Sequence, residues 1–192
     1  FAAGECACVS INGANRLGSN SLTEILVFGA RAGNAAAGFA NEHSEIDIKA
    51  LEKQRDEEFK RITLNFLNKD GGSERISTLR KEMHQVMEEC VGIFRSESGL
   101  KEASNKIEEL KDRFSSILIE DKSLNFNTEL TSALELENMI DVAEAIIFSA
   151  LSRRESRGSH QRTDFKERND ENFLRHSLAY RTDAESRIEY KE

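Results

Sequence analysis

Proline is absent from the 192 residues of this chain. Because proline interrupts helices and removes a backbone donor, its absence favours long, unbroken helices. The chain also has no apolar run long enough to span a bilayer and no signal peptide, so we expect any membrane attachment to go through partners. The G-x-G-x-x-G fingerprint of dinucleotide-binding folds is missing as well.

Cysteine is scarce, with only three residues, which fits a reducing compartment. Cys6 and Cys8 flank one residue, but a Cys-x-Cys pair without a second pair is a weak metal signal. We therefore expect these thiols and Cys90 to be buried and inert, with no metal site. The net charge of −8 argues against a surface that binds nucleic acid.

The first 33 residues are predicted to form a short strand, a loop with glycines and then a helix. The strand is Phe1–Glu5, and the loop covers residues 13–20. Ser21 and Glu24 have the spacing of a capping box, in which each side chain satisfies a backbone amide of the other residue. Since the helix is apolar nearly all round, we expect it to be buried. Its apolar residues include Leu22, Ile25, Leu26, Val27, Phe28, Ala30 and Ala32.

This predicted geometry could bind a ligand. Free amides at a helix start attract an anion or a reduced ring, and the backbone at Ser21 and Leu22 would supply them. Arg16, in the loop just ahead, has the planar fork that clamps a carboxylate. Glu5, at the end of the strand, can accept from hydroxyl groups. The alternative is a capped core helix with a surface arginine and no ligand.

Residues 45–155 are predicted to form an antiparallel, up-and-down bundle of three to four helices, since apolar residues recur at helical spacing between short loops. Residues 70–73 are expected to end one helix and cap the next. Ser96 interrupts the pattern, and Asn127 opens the last helix. The clearest apolar stripe comprises Ile76, Leu79, Met83, Val86, Met87, Cys90, Val91 and Phe94.

The remaining segment is rich in arginine around Gly158 and then alternates apolar and polar residues. The alternation at residues 174–180 and 187–190, with a turn at residues 182–185, predicts a β-hairpin at the end of the chain. Taken alone, the arginines would indicate a flexible basic loop or a loose phosphate patch. They are Arg153, Arg154, Arg157 and Arg162, followed by Lys166 and Arg168.

Two sets of motifs together resemble the flavoprotein subunit of fumarate reductase and succinate dehydrogenase. The first is FAAGE at residues 1–5 with GANRLGSNSL at residues 13–22. The second is SRRESRGSH at residues 152–160 with NFLRHSL at residues 172–178. Such subunits usually have His where this chain has Asn12. L-aspartate oxidases share the loop and the Glu-Ser-Arg-Gly stretch.

The resemblance implies a mostly helical C-terminal part of a longer subunit. Residues 1–42 would be the last segment of an FAD-binding α/β domain, with its strand, loop and buried helix. Residues 43–155 would be the helical bundle, and residues 156–192 an extended tail with the β-hairpin, ordered against the flavin domain. Most of the flavin domain would lie upstream, so we expect the isolated chain to be inactive.

The activity implied by the resemblance is the interconversion of fumarate and succinate by hydride transfer with FAD. Arg16 would bind a carboxylate of the C4 dicarboxylate, while Glu5, Ser21 and Leu22 would bind FAD. The proton-delivering residue would lie upstream, so no catalytic residue is assigned here. The implied partners are an iron–sulfur subunit and membrane anchors at the cytoplasmic face of the inner membrane. The alternatives are an L-aspartate oxidase-like flavoenzyme and a stand-alone helical interaction module.

Overall fold

The structure, a computed structural model, describes residues 1–12, 16–43, 47–182 and 186–191. The chain forms two compact units, Phe1–Glu57 and Glu58–Glu192, while the division into three domains at residues 42 and 155 stays a prediction. None of the helices in the described residues is long and apolar enough to cross a membrane. The helices are α1 (Asn20–Glu42), α2 (Ile48–Ile62), α3 (Ile76–Val91), α4 (Glu97–Phe114), α5 (Thr128–Ser152) and α6 (Asp170–Phe173). The strands are β1 (Phe94–Arg95), β2 (Gln161–Arg162), β3 (His176–Tyr180) and β4 (Arg187–Lys191).

The first unit contains α1 and the segment before it. Residues 1–12 form turns and bends but no strand, so the predicted strand at Phe1–Glu5 is wrong, because no described segment pairs with its backbone. The prediction that α1 is buried is wrong as well. Leu22 is 64% exposed and Leu26 is 76% exposed, and Glu24 is the one buried residue described on this helix. Apolar composition alone does not bury a helix when no packing surface covers it.

The predicted helical bundle is confirmed in the second unit, where α3, α4 and α5 pack on one another. The short segment between α3 and α4 favours antiparallel packing of these two helices. Leu79 and Leu100 are fully buried, as their helical spacing predicts, and Leu136 of α5 is fully buried as well. A short π-helical segment, Thr63–Leu67, continues α2 and adds Phe66 to this core. The buried core also includes Met83, Val86, Ala103, Ile107, Leu110, Ile140, Ala143 and Ile147.

One of the predicted helix starts is confirmed and one is wrong. The Asn127 side chain accepts from the Leu130 amide at 2.7 Å and caps α5, as predicted. The Ser96 hydroxyl, predicted only to interrupt the pattern, accepts from the Gly99 amide at 3.1 Å and caps α4. Residues 70–73 do not cap α3, which begins at Ile76 without a side-chain cap. Gly72 instead approaches the chain after α4 so closely that a Cβ would lie 2.7 Å from the Ser116 carbonyl oxygen. This segment is therefore used for backbone pairing, not for capping.

The chain ends in the predicted β-hairpin, which is confirmed: β3 and β4 pair antiparallel, with His176 opposite Lys191 and Tyr180 opposite Arg187. Residues 183–185 of the predicted turn lie outside the described residues. A second pairing was not predicted. Strands β1 and β2, of two residues each, pair in parallel and join the end of α3 to the segment after α5. The tail is thereby attached to the bundle.

Candidate functional site

A cavity of about 230 Å³ in the first unit contains most of the predicted site residues. Glu5, Arg16 and Ser21 all line it, although they come from three different parts of residues 1–21. Leu22 does not line it. Gly13, Ala14 and Asn15 of the predicted loop lie outside the described residues. The other lining residues are Gly4, Ala7, Asn12, Glu24 and Ile25.

A tight turn places Glu5 beside the cavity. The Ala7 amide donates to the Gly4 carbonyl at 2.9 Å, and Gly4 has a φ of 84°, which side chains rarely permit. A Cβ at Gly4 would also lie 3.4 Å from Ile25 on α1. Glu5 is exposed beside this turn, so its carboxylate is accessible to hydroxyl donors.

Arg16 is exposed, and no hydrogen bond or ion pair joins its guanidinium to any residue that the structure describes. This distinguishes it from Arg113 and Arg157 of the second unit, whose side chains bind carboxylates. An arginine offers five N–H donors in a fixed fork that matches a carboxylate. The Arg16 side chain is therefore available to an anionic ligand in the cavity.

The predicted capping box at the start of α1 is wrong. The helix begins at Asn20, and Ser19 occupies the N-cap position with a left-handed φ of 67° and no side-chain cap. Ser21 lies within the first turn, where it faces the cavity. The Leu22 amide donates to the Ser19 carbonyl at 3.1 Å. The flavin contacts assigned to Ser21 and Leu22 stay predictions.

Glu24, the predicted partner of Ser21 in that box, instead accepts a hydrogen bond from Asn12. The Asn12 side-chain nitrogen lies 2.8 Å from Glu24 Oε2. Glu24 is only 9% exposed, so this contact lies at the wall of the cavity and not on the surface. The capping pattern could not reveal this pairing, because the competing donor lies 12 positions earlier in the chain.

The cysteines differ from the prediction of buried thiols. Cys6 and Cys8 are exposed, and Cys90 is half-buried on α3. Residues 1–12 form no strand, so no packed layer covers the first two. Within the described residues, no group of three or more His, Cys, Asp or Glu side chains could hold a metal ion.

Two arginines of the tail hold a buried carboxylate in the second unit, in a cluster that the sequence did not reveal. Glu155 is fully buried, and its carboxylate accepts from Arg153 at 2.7 Å and from Arg157 at 2.8 Å. The Asn169 amide also donates to it at 2.8 Å. Burial alone would raise the pKa of Glu155, but these hydrogen bonds outweigh it and hold the pKa below its usual value. Arg153 and Arg157 are therefore paired with a carboxylate of the protein itself.

Arg162 is the second buried ionic residue of the tail. It is 1% exposed, and its guanidinium binds Asp164 at 2.7 Å and the Ala150 carbonyl at the end of α5 at 2.9 Å. The Asp164 carboxylate also accepts from the Glu97 amide at the start of α4. Its hydrogen bonds to Arg162 hold the pKa of Asp164 well below its usual range. These contacts connect the tail to two helices and mark it as structural.

Comparison with known proteins places the chain in a family. The family described as fumarate reductase flavoprotein C-term matches residues 80–192. The fumarate reductase flavoprotein subunit of Mycobacterium tuberculosis is 50% identical over 194 aligned positions, which cover 99% of this chain and 33% of that protein. The chain thus spans about a third of the length of such relatives.

Solved structures give the same result. The Escherichia coli quinol fumarate reductase structure superposes with a TM-score of 0.94 at 43% identity, covering 100% of this chain and 33% of that chain. The Mycobacterium smegmatis Sdh1 complex superposes with a TM-score of 0.83 at 32% identity, covering 100% and 32%. The chain belongs to the family of fumarate reductase and succinate dehydrogenase flavoprotein subunits, of which it represents the C-terminal part.

Proposed function

We propose that this chain is the C-terminal part of a flavoprotein subunit that interconverts fumarate and succinate by hydride transfer with FAD. The observation that carries this proposal is the cavity that Glu5, Arg16 and Ser21 line together. The three residues come from the motif that resembles such subunits, and they lie around one cavity in a chain of this family. The relatives are named fumarate reductase flavoprotein subunits.

The residues around the cavity fit a flavin in their chemistry. The Glu5 carboxylate is exposed and can accept from a ribityl or ribose hydroxyl. The start of α1 carries partial positive charge, and Ser21 presents this end of the helix to the cavity. The backbone at Ser21 would thus face the pyrimidine edge of the ring, where negative charge develops on reduction, whereas the Leu22 amide already donates to the Ser19 carbonyl. Bound FAD would supply the hydride chemistry at its N5 atom.

Arg16 would bind one carboxylate of the C4 dicarboxylate and orient the substrate. A dicarboxylate carries two negative charges, so its site needs fixed positive charge, and Arg16 is the only basic residue before Val27. Its guanidinium has no partner among the described residues that it would first have to release. Two parallel N–H donors fix both the position and the plane of a carboxylate, which places the reacting carbons for hydride transfer.

We further propose that the subunit works with an iron–sulfur subunit and membrane anchors at the cytoplasmic face of the inner membrane. The similar structures are described as a quinol fumarate reductase and as an Sdh1 complex, and a quinol partner requires a route for electrons. The exposed apolar side of α1, including Leu22 and Leu26, would be covered by the rest of the flavoprotein subunit.

The test uses the full-length subunit that contains this chain, purified with FAD. We expect it to reduce fumarate with a reduced dye as electron donor and to oxidise succinate in reverse. An L-aspartate oxidase, the alternative that shares the loop motif, would instead oxidise L-aspartate and release hydrogen peroxide with oxygen. Aspartate oxidation without fumarate or succinate turnover would contradict the proposal, as would a full-length protein that does not bind FAD.

A further inference from the structure

We propose that Asn12 and Glu24 are positioning residues that hold Arg16 in place for its carboxylate ligand. This inference rests on the proposed function, since Arg16 has the role of substrate clamp there. It starts from one contact: the Asn12 side chain donates to Glu24 Oε2 at 2.8 Å. Both residues line the cavity together with Arg16.

The burial of Glu24 makes this contact strong. Glu24 is 9% exposed, and the amide of Asn12 is the donor that reaches its carboxylate among the described side chains. A hydrogen bond to a charged acceptor is stronger than one between neutral groups, and a buried acceptor that loses its donor bears the full desolvation cost. We therefore expect the Asn12–Glu24 hydrogen bond to persist as long as Glu24 stays buried.

The position of the pair in the chain links it to Arg16. Asn12 and Glu24 lie 12 positions apart, and Arg16 is between them. A contact between the two ends of a segment limits the conformations open to the residues inside it. Glu24 belongs to α1, so the pair ties the chain just before Arg16 to a rigid element. The pair would thus restrain the backbone that carries Arg16 and act on the guanidinium indirectly, since it makes no hydrogen bond or ion pair with it.

Such restraint matters because misplacing a substrate-orienting group by about 1 Å can cost roughly 100-fold in rate. Replacing Asn12 by Asp puts two carboxylates against each other and breaks the contact. In the double variant Asn12→Asp/Glu24→Gln, the amide and the carboxylate change places. The new amide on α1 would then donate to the new carboxylate ahead of the loop, and the hydrogen bond returns with its polarity reversed.

The test measures ligand affinity and turnover in the full-length subunit with FAD bound. Malonate is the affinity probe, because this dicarboxylate has no pair of carbons to oxidise, and its binding is followed by the flavin absorbance. We expect Asn12→Asp to raise the malonate Kd and to lower kcat/KM by about 10- to 100-fold. The double variant should recover to within about 3-fold of the parent in both quantities, with FAD content unchanged.

Further variants keep the test decisive. Should Asn12→Asp not fold, Asn12→Ala removes the donor without adding repulsion and should show the same loss. Glu24→Gln alone removes the charge from the acceptor of Asn12 and should show a smaller loss than Asn12→Asp. Arg16→Lys is measured in parallel. A loss in Arg16→Lys with none in the Asn12 variants, or no recovery in a folded double variant, would overturn this inference alone. An unchanged Arg16→Lys would overturn the clamp itself.

Discussion

Arg95 and His160 lie 65 positions apart and are joined by a hydrogen bond of 2.9 Å between Arg95 Nη1 and His160 Nδ1. The other ring nitrogen, His160 Nε2, lies 2.9 Å from the Arg153 carbonyl oxygen. Since a guanidinium only donates and a carbonyl only accepts, Nδ1 must accept and Nε2 must carry the proton. The partners thus assign one neutral tautomer to a buried histidine that fastens the tail to β1.

His160 predicts a dependence of stability on pH. Burial lowers the pKa of His160, and the charges of Arg95, Arg162 and Arg153 lower it further, although the Arg153 carbonyl acts in the opposite direction. The unfolded chain therefore takes up a proton near pH 6.5 before the folded chain does. Stability should fall as the pH drops from about 6.5 towards the folded pKa, and should rise again on return.

The measurement is the free energy of unfolding of the chain between about pH 5 and 7, above the range where carboxylates titrate. In His160→Gln, which keeps one donor and one acceptor without a titrating ring, the slope in this range should shrink. His84→Gln, at an exposed histidine, is measured in parallel as the matched control for the substitution. Equal slopes for the parent and His160→Gln would contradict the assignment.

We expect the carboxylate of Glu155 to contribute strongly to the stability of the tail. Glu155→Ala removes a fully buried carboxylate and leaves Arg153 and Arg157 without its charge. Breaking a buried ion pair on one side costs about 3 kcal/mol or more. Denaturant unfolding should show a loss of this size. Lys101→Ala, which breaks an exposed pair with Glu97, should cost under about 1 kcal/mol. Similar losses of unfolding free energy in both variants would show that the buried cluster stabilises the fold no more than an exposed ion pair does.

The faces of the bundle helices give a third prediction. Leu110 is fully buried, and Val86 is 8% exposed. Replacing either residue by Ala should lower the free energy of unfolding by about 2 to 4 kcal/mol. Glu108 is exposed on the same helix as Leu110, and Glu108→Ala should cost under about 0.5 kcal/mol. Equal costs at Leu110 and Glu108 would contradict the assigned helix faces.

The bundle could be predicted because its information is local. Leu79, Met83 and Val86 recur at helical spacing, and Asn127 caps α5 through a contact three residues away. The β-hairpin followed in the same way from alternation. The predictions that failed concern features that depend on residues far away in the chain. The helix α1 looked buried from its composition, but burial requires a surface that the pattern of one helix does not contain.

The candidate site was predictable in part for a similar reason. Glu5, Arg16 and Ser21 could be chosen from the motif, and they line one cavity. The Asn12–Glu24 contact escaped prediction, because a carboxylate at capping spacing has an obvious local partner and a less obvious distant one. Glu155 and its arginines were visible as a charged run. The burial of Glu155 involves a partner 14 positions away, the Asn169 amide, which no periodicity indicates.

The central claim, that Arg16 orients a dicarboxylate, is tested most directly by Arg16→Lys in the full-length subunit. Lysine keeps the positive charge but loses the two-pronged geometry. The measurement is kcat/KM for fumarate, with FAD content and Tm as controls. We expect kcat/KM to fall by on the order of 100-fold or more while FAD content and Tm change little. Full activity with Lys at position 16 would contradict the claim and would place the carboxylate clamp elsewhere in the subunit.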